Sequence, residues 1–180
     1  GLAVILAASV ITLPRDMGRA KAKVKFSQIL SKSRDINLLS AARMFLFGSR
    51  DTWFVVGLPV FLSASLGWSH AEVGGFLALW VIGYGGVQAL ALKVLDRSLG
   101  GGTPRGGTAA LGASVLSVLA GMIALGVGLE LSPWVTVVCV LALFGLVFAV
   151  NSSVHSYLIL AYTESDQAAR NVGFYYMANA

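Results

Sequence analysis

The stretch "AARMFLFGSRDTWFVVGLPVFL", residues 41–62, is apolar enough for a membrane helix yet carries Arg43, Arg50 and Asp51. Whether it crosses a bilayer decides the fold. From residue 52 to residue 69 no Asp, Glu, Lys or Arg occurs, a run just long enough for a helix to cross about 30 Å of hydrocarbon. Outward from this stretch the whole chain agrees. Hydrophobic residues make up 57% and charged residues 12% of it, with a mean hydropathy of +0.80, too little polar surface to cover a body this size in water. The composition excludes a soluble domain and implies an integral membrane protein.

The formal charge of +5 does not point to nucleic acid, because its source is local. Arg15, Arg19, Lys21, Lys23, Lys25, Lys32 and Arg34 share one segment, the pattern of a cytoplasmic loop. Cys139 is the single cysteine and lies in an apolar run, which leaves neither a disulfide framework nor a thiolate metal site.

Period-2 alternation is absent, and in lipid only helices or closed barrels satisfy their backbone. The expected fold is therefore an all-α integral membrane bundle. Residues 1–13 read as the end of one helix and 14–35 as a basic loop. Helices follow near 37–67, 73–92, 108–129 and 133–157, with another opening near 169 and running to 180. Both ends read as cut, so the chain is expected to be an internal piece of a longer membrane protein, unable to transport alone. Lys and Arg set the orientation. The loops at 14–35 and 93–107 are basic and Arg170 follows the last complete helix, whereas "GWSHAEV" (67–73) and "ELSP" (130–133) carry neither residue. Basic loops lie inside and neutral turns outside, with Trp68 and Trp134 at outer helix ends, where amphipathic rings favour the interface. Gly74, Gly75, Gly83, Gly85 and Gly86 suit close helix approach or bending, and Pro59 is expected to kink its helix.

At a rise of 1.5 Å per residue, Arg50 lies about 27 Å and Arg43 about 37 Å from Trp68. Against about 30 Å of hydrocarbon, Arg50 and Asp51 fall near the inner edge of the core and Arg43 near the inner headgroups. One reading is interfacial anchoring by snorkelling. The other is an anion-facing stripe, since residues seven apart share a helix face with Phe47 between them. Asp51 is rotated by about 100° from Arg50, and the two are expected to address different partners. Asn151 and His155 are four apart, as are Ser152 and Ser156, forming a polar face at the inner end of their helix. Tyr175 and Asn179 repeat that spacing. Each of these also has a plain reading, as an interfacial or packed residue. No nucleophile triad, metal cluster, phosphate loop or dinucleotide fingerprint is present, so no cofactor is implied and a transporter is favoured over an enzyme.

The helix series, the long basic central loop and "LDRSLGGGTPR" (95–105) resemble the second half of a major facilitator superfamily transporter. On that mapping residues 1–13 end helix 6, 14–35 form the central loop, and 36–180 hold helices 7 to 10 and the start of 11. Asp96, Arg97 and Gly100 match part of the family's gating-loop motif. Leu92 stands where its first glycine is usual, and the paired basic residues are lacking. More specifically, "SAARMFLFGSRDTWFVVGLPVFL", "GWSHAEVGGFLALWVIGYGGVQ", "NSSVHSYLILAY" and "NVGFYYMANA" resemble the organoarsenical efflux permeases of this superfamily. The resemblance implies export of 1-arseno-3-phosphoglycerate across a bacterial inner membrane. It links the protein functionally to a glyceraldehyde-3-phosphate dehydrogenase that makes this anion, and so to arsenate resistance. Arg43, Arg50, Asn151, His155, Tyr175 and Asn179 are then candidate substrate contacts, Asp51 a proton-coupling candidate, and Asp96 and Arg97 gating candidates. The partners are the bilayer and a small anion, with no nucleic acid. A facilitator for another organic anion or a drug is the alternative, and a membrane sensor or enzyme a more distant one.

Overall fold

A computed structural model describes residues 11–12, 33–98, 102–164 and 167–178. All but residues 11–12 of the expected helix end at 1–13, nearly all of the basic loop at 14–35, and Asn179 lie outside these residues. The described chain is helical, without a strand. Four of its helices are long and apolar enough to cross a membrane: α1 (Arg34–Leu66), α2, α3 (Gly106–Gly128) and α4 (Trp134–Ala161). Helix α2 runs over His70–Ser98, and a shorter α5 spans Ala168–Met177. A multi-pass membrane protein follows.

Local chemistry explains the ends. Helix α1 closes on Gly67, whose φ of 69° is left-handed and costs glycine little. Ser69 and Glu72 then open α2 as a capping box: the Ser69 N–H and hydroxyl each donate to Glu72 Oε2 at 2.8 Å, and the Glu72 N–H returns to Ser69 Oγ at 3.3 Å. Around Pro59 helix α1 departs from a regular α-helix. A π-helical turn, Trp53–Gly57, precedes the α-helix that resumes at Leu58 with Pro59 in its first turn. Proline lacks the N–H that would continue the α ladder, and a π turn is one way a helix absorbs that break. A second π turn, Trp134–Cys139, opens α4.

Helix α4 is the axle of the bundle. Half of its apolar window is buried, against 17% in α1 and α3 and 6% in α2. Pairs of touching residues give its register with each neighbour. Against α2 it runs parallel: Trp80 meets Gly145, Tyr84 meets Phe148, and Gln88 meets Ser152. Against α1 it runs antiparallel, Phe47 on Phe148 and Trp53 on Phe144. Against α3 it is antiparallel too, Gly112 on Asn151 and Gly126 on Thr136. Helix α5 lies beside α1 through Tyr175 and Arg43. Trp68 and Trp134 meet with ring centres 5.3 Å apart, which puts the ends of α1 and α4 that carry them on one side of the bundle.

The glycines that permit close approach are Gly112, Gly126 and Gly145. A Cβ on them would stand 2.5 Å from Asn151 Oδ1, clash with Thr136, and lie 2.9 Å from the Trp80 indole, respectively. The α2 glycines do otherwise: Gly74, Gly75, Gly83, Gly85 and Gly86 have open space where a Cβ would point.

Candidate functional site

Helix α1 turns Ser40, Arg43, Phe47 and Arg50 inward at spacings of three, four and three, one helical face. Ser40, Arg43 and Phe47 are buried. The Arg43 guanidinium donates from Nη1 to the Tyr175 hydroxyl at 2.8 Å. Its carbon lies 4.2 Å from the Phe47 ring centre, 4.5 Å from that of Tyr175 and 4.8 Å from that of Tyr176, three cation–π contacts inside a desolvated cage. Arg43 Nε has no hydrogen-bond partner, and among the described residues no carboxylate pairs with Arg43. A buried cation without a counter-charge is costly, so the rings and one hydroxyl carry it.

About two turns beyond Arg43 along α1, Arg50 lies over Phe47 and Phe148, 5.0 and 4.9 Å from their ring centres. Phe47 thus serves both arginines. The expectation that Arg50 and Asp51 address different partners is corrected here. Arg50 Nε donates to Asp51 Oδ1 at 2.7 Å, and Nη2 donates to the same oxygen. The 100° between adjacent positions separates Cβ atoms, but arginine carries its charge at the end of a long stem. With Asp51 42% exposed, its carboxylate turns to meet that end.

The polar residues of α4 divide among its neighbours instead of acting as one face. Asn151 lies against Gly112 of α3, with its amide nitrogen and oxygen both unpaired. Ser152 and Ser153 turn to α2, where Gln88 Nε2 donates to Ser152 Oγ at 3.3 Å and Ser153 Oγ donates to the Gln88 carbonyl at 3.1 Å. His155 is 3% exposed, and its Nδ1 has no partner. It forms part of the floor of a cavity of about 850 Å³ between α1 and α3, otherwise lined mainly by Leu38, Ala42, Phe45, Ala113 and Leu116. This cavity is mainly apolar, and neither arginine lines it.

The structure therefore brings together Arg43 and Tyr175 and links Arg50 to them through Phe47, while His155 lines the cavity. It does not bring Asn151 to that group. Arg97 is exposed near the end of α2, and the Asp96 side chain lies outside the described residues. Sequence reasoning did not assign Tyr176 or Phe148, whose ring contacts come from separate helices. It also gave no site role to two buried neighbours with unpaired oxygens, Ser40 and Asn171. Their signal was present: Ser40 precedes Arg43 by three and Asn171 precedes Tyr175 by four, each one turn along the same face. Among the described residues no cluster of His, Cys, Asp and Glu is arranged to hold a metal.

No family model, curated protein or solved structure matches this chain.

Proposed function

We propose that this chain is part of a secondary efflux transporter of the major facilitator type, exporting an anionic organoarsenical from the cytoplasm of a bacterium. The observation that carries the reading is Arg43: a buried guanidinium on a membrane-spanning helix, caged by three rings and lacking a carboxylate partner among the described residues. Intramembrane charges are expensive and are retained where function needs them. Arg50 extends the cationic face by about two turns and is less enclosed. Guanidinium forks match the oxygens of phosphate, arsenate and carboxylate in pairs, the groups that 1-arseno-3-phosphoglycerate carries. The choice of that compound rests on the sequence resemblance. Rocking of two helical halves about a central site would expose the arginines alternately to each side, in a transporter and not an enzyme.

The apolar cavity beside His155 favours a second reading, a facilitator whose substrate is a drug or other amphiphile. Everted membrane vesicles carrying the complete protein separate the two. They are supplied with arsenate, glyceraldehyde-3-phosphate, NAD and the dehydrogenase, and each component is omitted in turn. Arsenic accumulation that needs the whole mixture and falls in Arg43→Ala and Arg50→Ala, at equal membrane insertion, supports the arsenical. No accumulation from active, correctly oriented vesicles removes it.

A further inference from the structure

We propose that the cavity between α1 and α3 is a binding site for an amphipathic cation, a single positive charge on an apolar, partly aromatic body, with Asp35 as its counter-charge. The site is separate from the arginine face. It deepens the second reading, the facilitator of an amphiphile, and rests on it, since it says which amphiphile this cavity takes.

The cavity follows from residue size. Helices α1 and α3 both pack on α4, and α3 sets Gly106, Ala109, Ala113, Ser117 and Ala120 along the space between them, at spacings of three and four. These short side chains leave the space unfilled. Across it α1 presents Asp35, Leu38, Ala42, Phe45, Ser49 and Trp53. Ala42 and Ser49 each precede an arginine by one position, so this face is rotated by about 100° from the one that carries Arg43 and Arg50. One helix thus borders two surroundings of opposite charge. At about 850 Å³ the cavity falls in the range of roughly 300–1,000 Å³ that encloses most of a drug-sized ligand.

Its polar groups select the ligand. No Lys or Arg lines it; Arg34 and Arg105 are next in sequence to lining residues and do not themselves line it. The hydroxyls of Ser49 and Ser117 donate to the Leu46 and Ala113 carbonyls, each at 3.0 Å, and have only lone pairs left to offer. Buried His155, in the wall, leaves Nδ1 without a partner. A lipid chain would leave that nitrogen unsatisfied, so a wholly hydrocarbon occupant does not fit. The Asp35 carboxylate is exposed and makes no hydrogen bond or ion pair among the described residues. It sits where three helix ends meet: the first turn of α1, Gly106 at the start of α3, and Tyr162 at the end of α4, with a Cβ on Gly106 standing 3.7 Å from the Tyr162 hydroxyl. The starts of α1 and α3 each carry about half a positive charge and the end of α4 about half a negative one; with the full charge of Asp35 this mouth is net negative. Phe45, Trp53, Phe144 and Tyr162 add aromatic rings to the lining, and rings attract a desolvated cation.

The test uses the complete protein in zwitterionic lipid nanodiscs and two radiolabelled probes of one shape and opposite charge, tetraphenylphosphonium and tetraphenylborate. Partition into the bilayer is the same for wild type and variants, so a change in saturable affinity reports the site. A unit charge about 4 Å away is worth roughly fivefold in affinity in bulk water, the medium nearest to that of an exposed carboxylate. Asp35→Asn should therefore weaken the phosphonium about fivefold without weakening the borate, and Asp35→Glu should stay close to wild type. Ala113→Phe and the smaller change Ala110→Leu, both in the lining, should remove or sharply weaken saturable phosphonium binding. Phosphonium affinity unmoved by Asp35→Asn, an equal loss of both probes in that variant, or phosphonium binding intact in both filled variants overturns the proposal, as does a wild-type site that saturates with the borate alone. Everted vesicles separate the site from the reading beneath it. If the phosphonium binds in this pattern and is not accumulated, the facilitator reading fails and the site stands; accumulation indifferent to Asp35 and to both filled variants overturns the site and leaves that reading.

Discussion

Changing Tyr175 to Phe removes one oxygen and leaves the ring that lies 4.5 Å from the Arg43 guanidinium. The change deletes one hydrogen bond of 2.8 Å from a buried cation. Hydrogen bonds to charged groups contribute about 1.5–3 kcal/mol in soluble proteins, whereas interhelical ones in membranes average about 0.6 and reach about 1.7. Arg43 Nε is already without a partner, so removing the Nη1 bond deepens an existing deficit. We expect about 1–2 kcal/mol of destabilisation. Arg43→Met removes that bond and the attraction to three rings, each worth about 0.5–1 kcal/mol or more when desolvated. It also removes an unpaired buried charge, so its net cost should fall below the sum of those interactions. The informative quantity is the coupling. Once Arg43 is gone the hydroxyl has no partner to bond, and the double variant should be less destabilised than the two single changes together by about 1–2 kcal/mol. Reversible unfolding of the complete protein in mixed micelles, followed by tryptophan fluorescence, measures all four corners of the cycle. Additivity within about 0.5 kcal/mol would refute the view that α1 and α5 are tied by this bond. Tyr176→Phe, whose hydroxyl is not the one bonded to Arg43, should change stability by less than about 0.5 kcal/mol.

Gly145→Ala puts a methyl 2.9 Å from a Trp80 indole that is stacked on Tyr84 and donates to the Leu141 carbonyl; overpacking of this kind costs about 1–3 kcal/mol in the same unfolding assay. Gly112→Val should behave likewise against Asn151, while Gly83→Ala, with open space at its Cβ, should be neutral or gain up to about 1 kcal/mol from helix propensity. With Cys139 first replaced by Ser, a cysteine at Ser69 should react with an impermeant thiol reagent from outside intact cells, and one at Thr103 only after the membrane is opened; the reverse pattern would invert the orientation. Ala113→Phe, which fills the α1–α3 cavity, should abolish any saturable binding of an apolar probe there.

The membrane spans were legible because hydropathy is a local property: a charge-free run such as 52–69 states its own fate in lipid. The shared face of Arg43, Phe47 and Arg50 was legible for the same reason, since a single helix determines which of its residues point together. What each of them meets is set by another helix, and that was not. Nothing within α1 announces that Phe148 will cover Arg50, or that Tyr175 will bond to Arg43 while Tyr176 lies across it. The polar run "NSSVHS" shows the limit most clearly. At spacing four Asn151 and His155 share a face, yet α4 is the axle, and a helix surrounded by neighbours has several inner faces. Asn151 therefore goes to Gly112, Ser152 and Ser153 go to Gln88, and His155 goes to the cavity. The glycines divide by the same rule. Small residues in α2 outnumber those where α3 meets α4, but only a glycine opposite a bulky partner is used for close approach, and the partner is invisible from within its own segment. The Arg50–Asp51 pair failed for a different reason. Helical projection places Cβ atoms, whereas a guanidinium sits a full side chain beyond its Cβ. For short side chains the projection decides contact; for arginine and lysine it decides only where the stem begins.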